Sequence, residues 1–298
     1  MTKKIRQISI YRMNLAGNAA RESQASSEYL MSTAYTDENG QETERISYNA
    51  DGEPEERVLT LWENGHPVEE RIELSGEPAE RTTREFDDDG KIVREFRHYL
   101  DGEPDEILYE YDAKGRLLKR QVTDSDGEEG EMHRWEYIDD QLVREEATNE
   151  YGDLEFTKNY TYHENGKPEE LTELSFAGGE QTRNVNLYDE EGRLETEKRY
   201  NSKGQLIARN TYTYDEKGNA TEITEETVTG TSLIKMQHDD KGNPVLQEEY
   251  DKEGSLITRI ERTYDEEGRQ LSTEVRMEST AQRFGQHYRL RFDYLFSE

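Results

Sequence analysis

The chain has 298 residues, 31% of them apolar and 36% charged, and a formal net charge of −31 from 69 acidic and 38 basic side chains. So few aliphatic residues exclude a thick globular core, and this balance of low hydrophobicity and high charge is that of a disordered chain. Against disorder stand 19 tyrosines and turn signals at a nearly fixed interval, which together call for a regular fold with a thin core. The lack of cysteine excludes a disulfide framework, a thiolate metal site and a cysteine nucleophile.

Residues 1–34 stand outside the pattern of the rest and are read as an N-terminal cap. MTKKIRQISIYRMN lacks the apolar run of about 7–15 residues that a secretory signal needs. No segment reaches the ~18 apolar residues of a membrane-crossing helix. The expectation is a cytoplasmic protein without membrane contact. A strand over QISIYRMNL precedes NAARESQASSEYLMSTA, which reads as a short helix.

Residues 35–276 form a repeat array. Gly40, Gly65, Gly90 and Gly115, then Gly166, Gly192, Gly218, Gly242 and Gly268, recur 24 to 26 residues apart, and the wider interval holds a copy turning at Asp139-Asp140. A second series, Gly52 to Gly254, falls between them. In YDAKGRL, YDEEGRL, YDEKGNA, YDKEGSL and YDEEGRQ, Asp at the first and Gly at the fourth turn position are type I preferences, and a left-handed Gly closes a G1 bulge. The Asp then faces the residue after the Gly, pairing Asp112 with Arg116, Asp189 with Arg193, Asp265 with Arg269 and Asp87 with Lys91. The Tyr before it faces the next position, which holds Leu117 or Leu194, and all six prolines lie two residues after a turn Gly. A proline is tolerated there, at the start of a strand. About 20 short antiparallel strands follow, in an all-β meander forming an elongated curved sheet or an open spiral. Residues 277–298, ending in FGQHYRLRFDYLF, read as an aromatic C-terminal cap strand over the last open edge.

The recurring Y-D-x-x-G-[RNS]-[LA] motif, with a glycine turn between copies, resembles the RHS/YD repeat family over residues 36–270. The looser LWENGHP and YHENGKP resemble MORN or YwqK-antitoxin hairpin repeats more weakly. The resemblance implies β-hairpin spirals. About ten double-strand units are too few for the closed shells of long family members, so only the architecture carries over.

Catalytic chemistry finds little footing. None of the six histidines sits at a metal-ligand spacing, and His163 and His238 occupy repeat slots. Carboxylates recur on turn tips instead of converging as an acid–base pair. The DSDGE string at Asp124, Asp126 and Glu128 lacks the distal Glu of a calcium loop. No phosphate loop or nucleophile elbow occurs, and basic residues are outnumbered, which disfavours direct nucleic-acid binding. No cofactor, metal or enzymatic activity is expected.

The leading expectation is a non-catalytic protein-interaction repeat protein whose acidic surface binds a basic protein partner. The alternatives are an immunity or DNA-mimic protein that neutralises a basic nuclease, and a carbohydrate-binding repeat protein. Candidate interface residues are Trp62, Trp135, Phe284, Tyr288, Phe292, Tyr294 and Phe296, and core packing of the cap is the competing role for the C-terminal five.

Overall fold

The computed structural model describes residues 4–15, 28–176, 182–279 and 284–297. Its strands are β1 (Ile5–Asn14), β2 (Tyr29–Thr36), β3 (Glu42–Tyr48), β4 (Pro54–Glu63), β5 (His66–Leu74), β6 (Glu77–Phe86), β7 (Ile92–His98) and β8 (Asp105–Tyr111). Then come β9 (Leu117–Thr123), β10 (Glu129–Ile138), β11 (Gln141–Thr148), β12 (Leu154–Tyr162), β13 (Pro168–Ser175), β14 (Thr182–Tyr188) and β15 (Leu194–Tyr200). The last are β16 (Leu206–Tyr214), β17 (Ala220–Thr227), β18 (Gly230–His238), β19 (Pro244–Tyr250), β20 (Leu256–Tyr264), β21 (Gln270–Met277) and β22 (Gln286–Phe296). Among the described residues there is no helix.

Each strand pairs antiparallel with the next, and β1 pairs with β22 through Ile8–Tyr294, Ser9–Asp293 and Ile10–Phe292. The 22-stranded sheet is therefore a closed barrel, not the open curved sheet or spiral that the repeat suggests. The reason is local: nearly every hairpin carries a register-shifting bulge beside its turn, as between Glu110 and Tyr111 or Thr213 and Tyr214. Bulges bend and coil strands, and the bend accumulates until the first strand meets the last, leaving no free edge. The terminal segments read as caps thus pair with each other. The expected N-terminal helix is partly replaced by β2, whose Tyr29–Thr36 pairs with both β1 and β3; the rest of that expectation, residues 18–27, lies outside the described residues.

The turns follow the sequence logic closely. Gly115 N donates to Asp112 O (2.9 Å), and Asp112 N donates to Arg116 O (2.9 Å). Gly115 has φ +78°, the left-handed region that glycine tolerates best. Three hairpins instead turn on two residues, both at positive φ: Asn64-Gly65, Ser75-Gly76 and Asp139-Asp140. That is the mirror-image turn that matches strand twist.

The wall is one sheet thick. Its accessible surface is 19283 Å², against about 13,000 Å² for a compact monomer of this mass. Among the described residues only Ile107, Ala147, Val185 and Val275 are buried hydrophobic groups. A ring this wide cannot be filled by side chains, so the sheet has no packed core behind it.

Candidate functional site

Strand pairing sorts the side chains onto two faces. One, here the aromatic face, carries the residues that end the strands before alternate turns: Trp62, Phe86, Tyr111, Tyr137, Tyr162, Tyr188, Tyr214 and Tyr264. The edge at those turns is the first rim, and the opposite edge is the second. All but Tyr264, which faces Gln270, face an apolar residue of their own hairpin, as Tyr111 faces Leu117 and Tyr162 faces Pro168. Many also reach the preceding hairpin. Tyr111 donates to Ile92 O (2.8 Å), Tyr162 to Leu142 O (2.6 Å), Tyr214 to Leu194 O (2.6 Å) and Tyr264 to Pro244 O (3.0 Å). Trp62 Nε1 does the same to Glu42 O (2.7 Å). Sequence pairing within a hairpin could not show this clasp, because its acceptor lies about 20 residues upstream.

The other face is a ladder of crossed charges. Arg57 bridges Glu44 (2.7 Å) and Glu73 (3.3 Å), Arg94 meets Glu106 (2.8 Å), and Arg289 meets Glu274 (2.6 Å). The aromatic face also carries charge at mid-strand, including Glu95 with Arg84 (3.0 Å), Glu145, Lys158, Glu197 and Arg199.

In most four-residue turns of the first rim, one carboxylate is structural, the turn at His163–Gly166 being the exception. Asp112 Oδ1 accepts from Lys114 N (2.8 Å) and Arg116 N (2.9 Å). The Arg116 backbone amide foremost holds this carboxyl below its usual range, and the Gln41 amide does so for Asp37. The expected pairs Asp112–Arg116, Asp189–Arg193 and Asp265–Arg269 form at 2.6, 2.7 and 2.5 Å. Lys91 differs: its ammonium turns to Asp89 (3.4 Å) instead of Asp87.

The second position of a type I turn makes no demand for acid. Yet at the first rim it holds Glu38, Asp88, Glu164, Glu190, Glu216, Asp240 and Glu266, all exposed, with Ala113 the exception among the four-residue turns. At the second rim the same position holds Ala50, Ser125, Glu150, Ser202 and Lys252. At the capping position the second rim mixes Asn49, Asn149 and Asn201 with Asp124 and Asp251. Asn49 Oδ1 at the second rim accepts from Asp51 N (3.0 Å) and Glu53 N (2.9 Å), so a neutral side chain does the work that Asp does opposite.

Most first-rim cations are engaged, Arg116, Arg193, Arg269 and Lys91 within their own turns and three lysines in lacing one turn to the next, a link that Asn165 also makes. Lys114 pairs with Asp140, Lys217 Nζ donates to Asp240 O (3.1 Å), Lys241 Nζ donates to Glu266 O, and Asn165 Nδ2 donates to Glu190 O (2.8 Å). Apart from Glu38, which lies 3.7 Å from Arg6, the second-position carboxylates have no side-chain partner among the described residues. The second rim is acidic mainly over its N-terminal half, at Glu53, Asp101, Glu103, Asp124, Asp126 and Asp153. It also bears the most exposed large apolar residues: Leu100 (74%), Tyr151 (80%), Val228 (79%) and Phe284 (86%).

The seven candidate interface residues do not form one patch. Tyr288, Phe292, Tyr294 and Phe296 line the aromatic face of β22 at the seam with β1, where Arg12 lies 4.1 Å from the Tyr288 ring centre and Arg269 4.7 Å from that of Phe296. Phe284 is exposed at the second rim, away from this seam cluster. Trp62 is spent in its clasp, and Trp135 stacks on His133 (3.9 Å). Burial holds His133 below the usual imidazole range despite Glu145 at 3.4 Å. Among the described residues, no cluster of three or more His, Asp or Glu could hold a metal ion.

No family model matches the chain, and no curated protein matches it. Similar solved structures include a chain of TcdB2-TccC3-TEV, at 12% identity and TM-score 0.33, covering 91% of this chain and 19% of that one. This chain thus spans about a fifth of that protein's length. They also include porin-like proteins from Bacteroides uniformis ATCC 8492 (10% identity, TM-score 0.33, 98% of both chains) and Bacteroides vulgatus ATCC 8482 (10%, 0.28, 99% of both).

Proposed function

We propose that this protein is a non-catalytic docking ring whose first rim binds a basic protein partner. The observation that carries the reading is the acid at the second position of the first-rim turns, a place where the fold does not require it. Successive turns on one rim lie two strands apart, about 10 Å. That is close to the screening length of physiological salt, about 8 Å, so neighbouring fields overlap. With most first-rim cations engaged within their turns or in lacing, the second-position carboxylates face solvent as a negative edge, interrupted at Asn64-Gly65 and Ala113, that steers basic partners. The wall's chemistry supports water on both sides: a lipid-facing barrel needs an apolar band about 25 Å tall, and here both faces carry charge at mid-strand. Kinship with RHS/YD hairpins is the finer family reading, and it rests on the Y-D-x-x-G turns.

The test neutralises first-rim tips together (Asp88→Asn, Glu190→Gln, Glu216→Gln, Asp240→Asn, Glu266→Gln). A control removes the same charge at the second rim (Glu53→Gln, Glu103→Gln, Glu129→Gln, Asp153→Asn, Glu253→Gln). Pull-downs from native lysate at low and high salt, with a poly-lysine peptide as probe, should show salt-sensitive retention lost in the first set and kept in the second. Equal loss in both sets would reduce the effect to bulk charge and end the docking-ring reading.

A further inference from the structure

The aromatic face has a depression lined by Glu173, Glu197, Arg199 and Glu225 together with the amides of Asn184, Asn186 and Asn210, and floored by Lys198 and Arg209, whose side chains alternate to the opposite face. It lies over β13–β17, has a volume of 330 Å³ and is open to solvent, within the size range of small-ligand sites. Its origin is a single small side chain. The row that crosses the strands as Lys158, Glu173, Asn184, Arg199, Ala208 and Thr227 drops to a methyl group at Ala208. The neighbouring row supplies Asn186, Glu197, Asn210 and Glu225.

The carboxylates here are already engaged. Glu173 lies 3.9 Å from Lys158 Nζ, and Glu225 accepts from Ser232 (3.2 Å). Glu197 accepts from Tyr212 and from Asn210 Nδ2 (3.0 Å). What remains uncommitted is the Asn184 and Asn186 amides and the Arg199 guanidinium, none of which has a side-chain partner among the described residues. Asn210 Oδ1 is buried with no hydrogen-bond partner among the described residues. An orphaned acceptor of that kind is unfavourable, so the cluster is not arranged for stability alone.

We propose that this cleft binds a neutral polyhydroxylated ligand, a saccharide unit. Hydroxyls donate and accept at once, and so do amides. An anion would call for donors alone and a cation for free acceptors, whereas here the carboxylates are taken and the free groups are mixed. An apolar ligand would find only the Ala208 methyl as apolar floor. The site is independent of the acidic first rim.

The experiment is saturation-transfer NMR on the full chain with three neutral hexasaccharides: a β-1,4-glucan, an α-1,4-glucan and a β-1,4-linked N-acetylglucosamine oligomer. At least one should give signal at millimolar concentration. That signal should fall about tenfold or more in Asn186→Leu/Arg199→Met and in Ala208→Phe, which fills the depression and removes no polar group. It should persist in the first-rim variant. Silence from all three sugars, signal unchanged in both cleft variants, or displacement by a poly-lysine peptide would each overturn the proposal.

Discussion

At the residue scale, the turn aspartates and glycines define the repeat. Asp112 and Asp37 sit below the usual carboxylate range because the amides of Arg116 and Gln41 hold the charged form, and the Asn243 side chain does so first for Asp239. Their unfolded pKa is about 3.9, so the unfolded chain binds more protons below that value. The caps' contribution is therefore complete above about pH 4 and lost as pH falls through the folded pKa. The net charge of −31 works in the opposite direction, since its self-repulsion fades as carboxylates protonate. Thermal unfolding should show Tm rising from pH 8 towards about pH 5 and falling below about pH 4. A Tm that keeps rising to pH 3 would remove the caps from the account. Gly152 isolates the backbone requirement, with φ +80° and open space where a methyl group would stand. Gly152→Ala should cost about 1–2 kcal/mol from left-handed strain alone, read from denaturant midpoints.

At the element scale, hairpins are joined by their ladders and by the aromatic clasps. Tyr162→Phe keeps the ring against Pro168 and removes only the bond to Leu142 O. It should destabilise by about 1 kcal/mol, with the slope of the denaturation curve unchanged. The β1–β22 seam admits a direct chemical check because the chain has no cysteine. Ser9→Cys with Asp293→Cys places two thiols on directly paired residues, near the separation that a disulfide needs. Mild oxidation should cross-link the ends of the folded monomer, and failure to do so would argue that the ring is open. The seam was partly legible in advance. FGQHYRLRFDYLF and QISIYRMNL read as atypical strands, but nothing in either names the other as its neighbour. The clasp was hidden for a similar reason, since Tyr111 and Ile92 sit in different hairpins and only a bent wall brings them within bonding distance.

At the scale of the whole molecule, charge and closure oppose each other. A wall with four buried hydrophobic residues among those described relies on ladders, crossed ion pairs and the absence of an edge, while the excess carboxylates repel around the ring. Raising salt from about 10 mM to about 150 mM, which shortens the screening length from about 30 Å to about 8 Å, should therefore raise Tm. A fall would mean that the crossed ion pairs outweigh the repulsion.

The sequence by itself determined the strands, turns and faces. Strand alternation, Asp at the first turn position and Gly at the fourth are local constraints, with their cause within a few residues, and the prolines follow the same rule. The carboxylates of the first-rim turns were visible too, but they read as solvated turns until the two rims could be compared. Only the tertiary structure decided closure, the separation of the rims, and the cleft beside Ala208. Each depends on the summed bend of 22 strands or on side chains from several strands meeting in one row, and neither quantity is written in any single repeat.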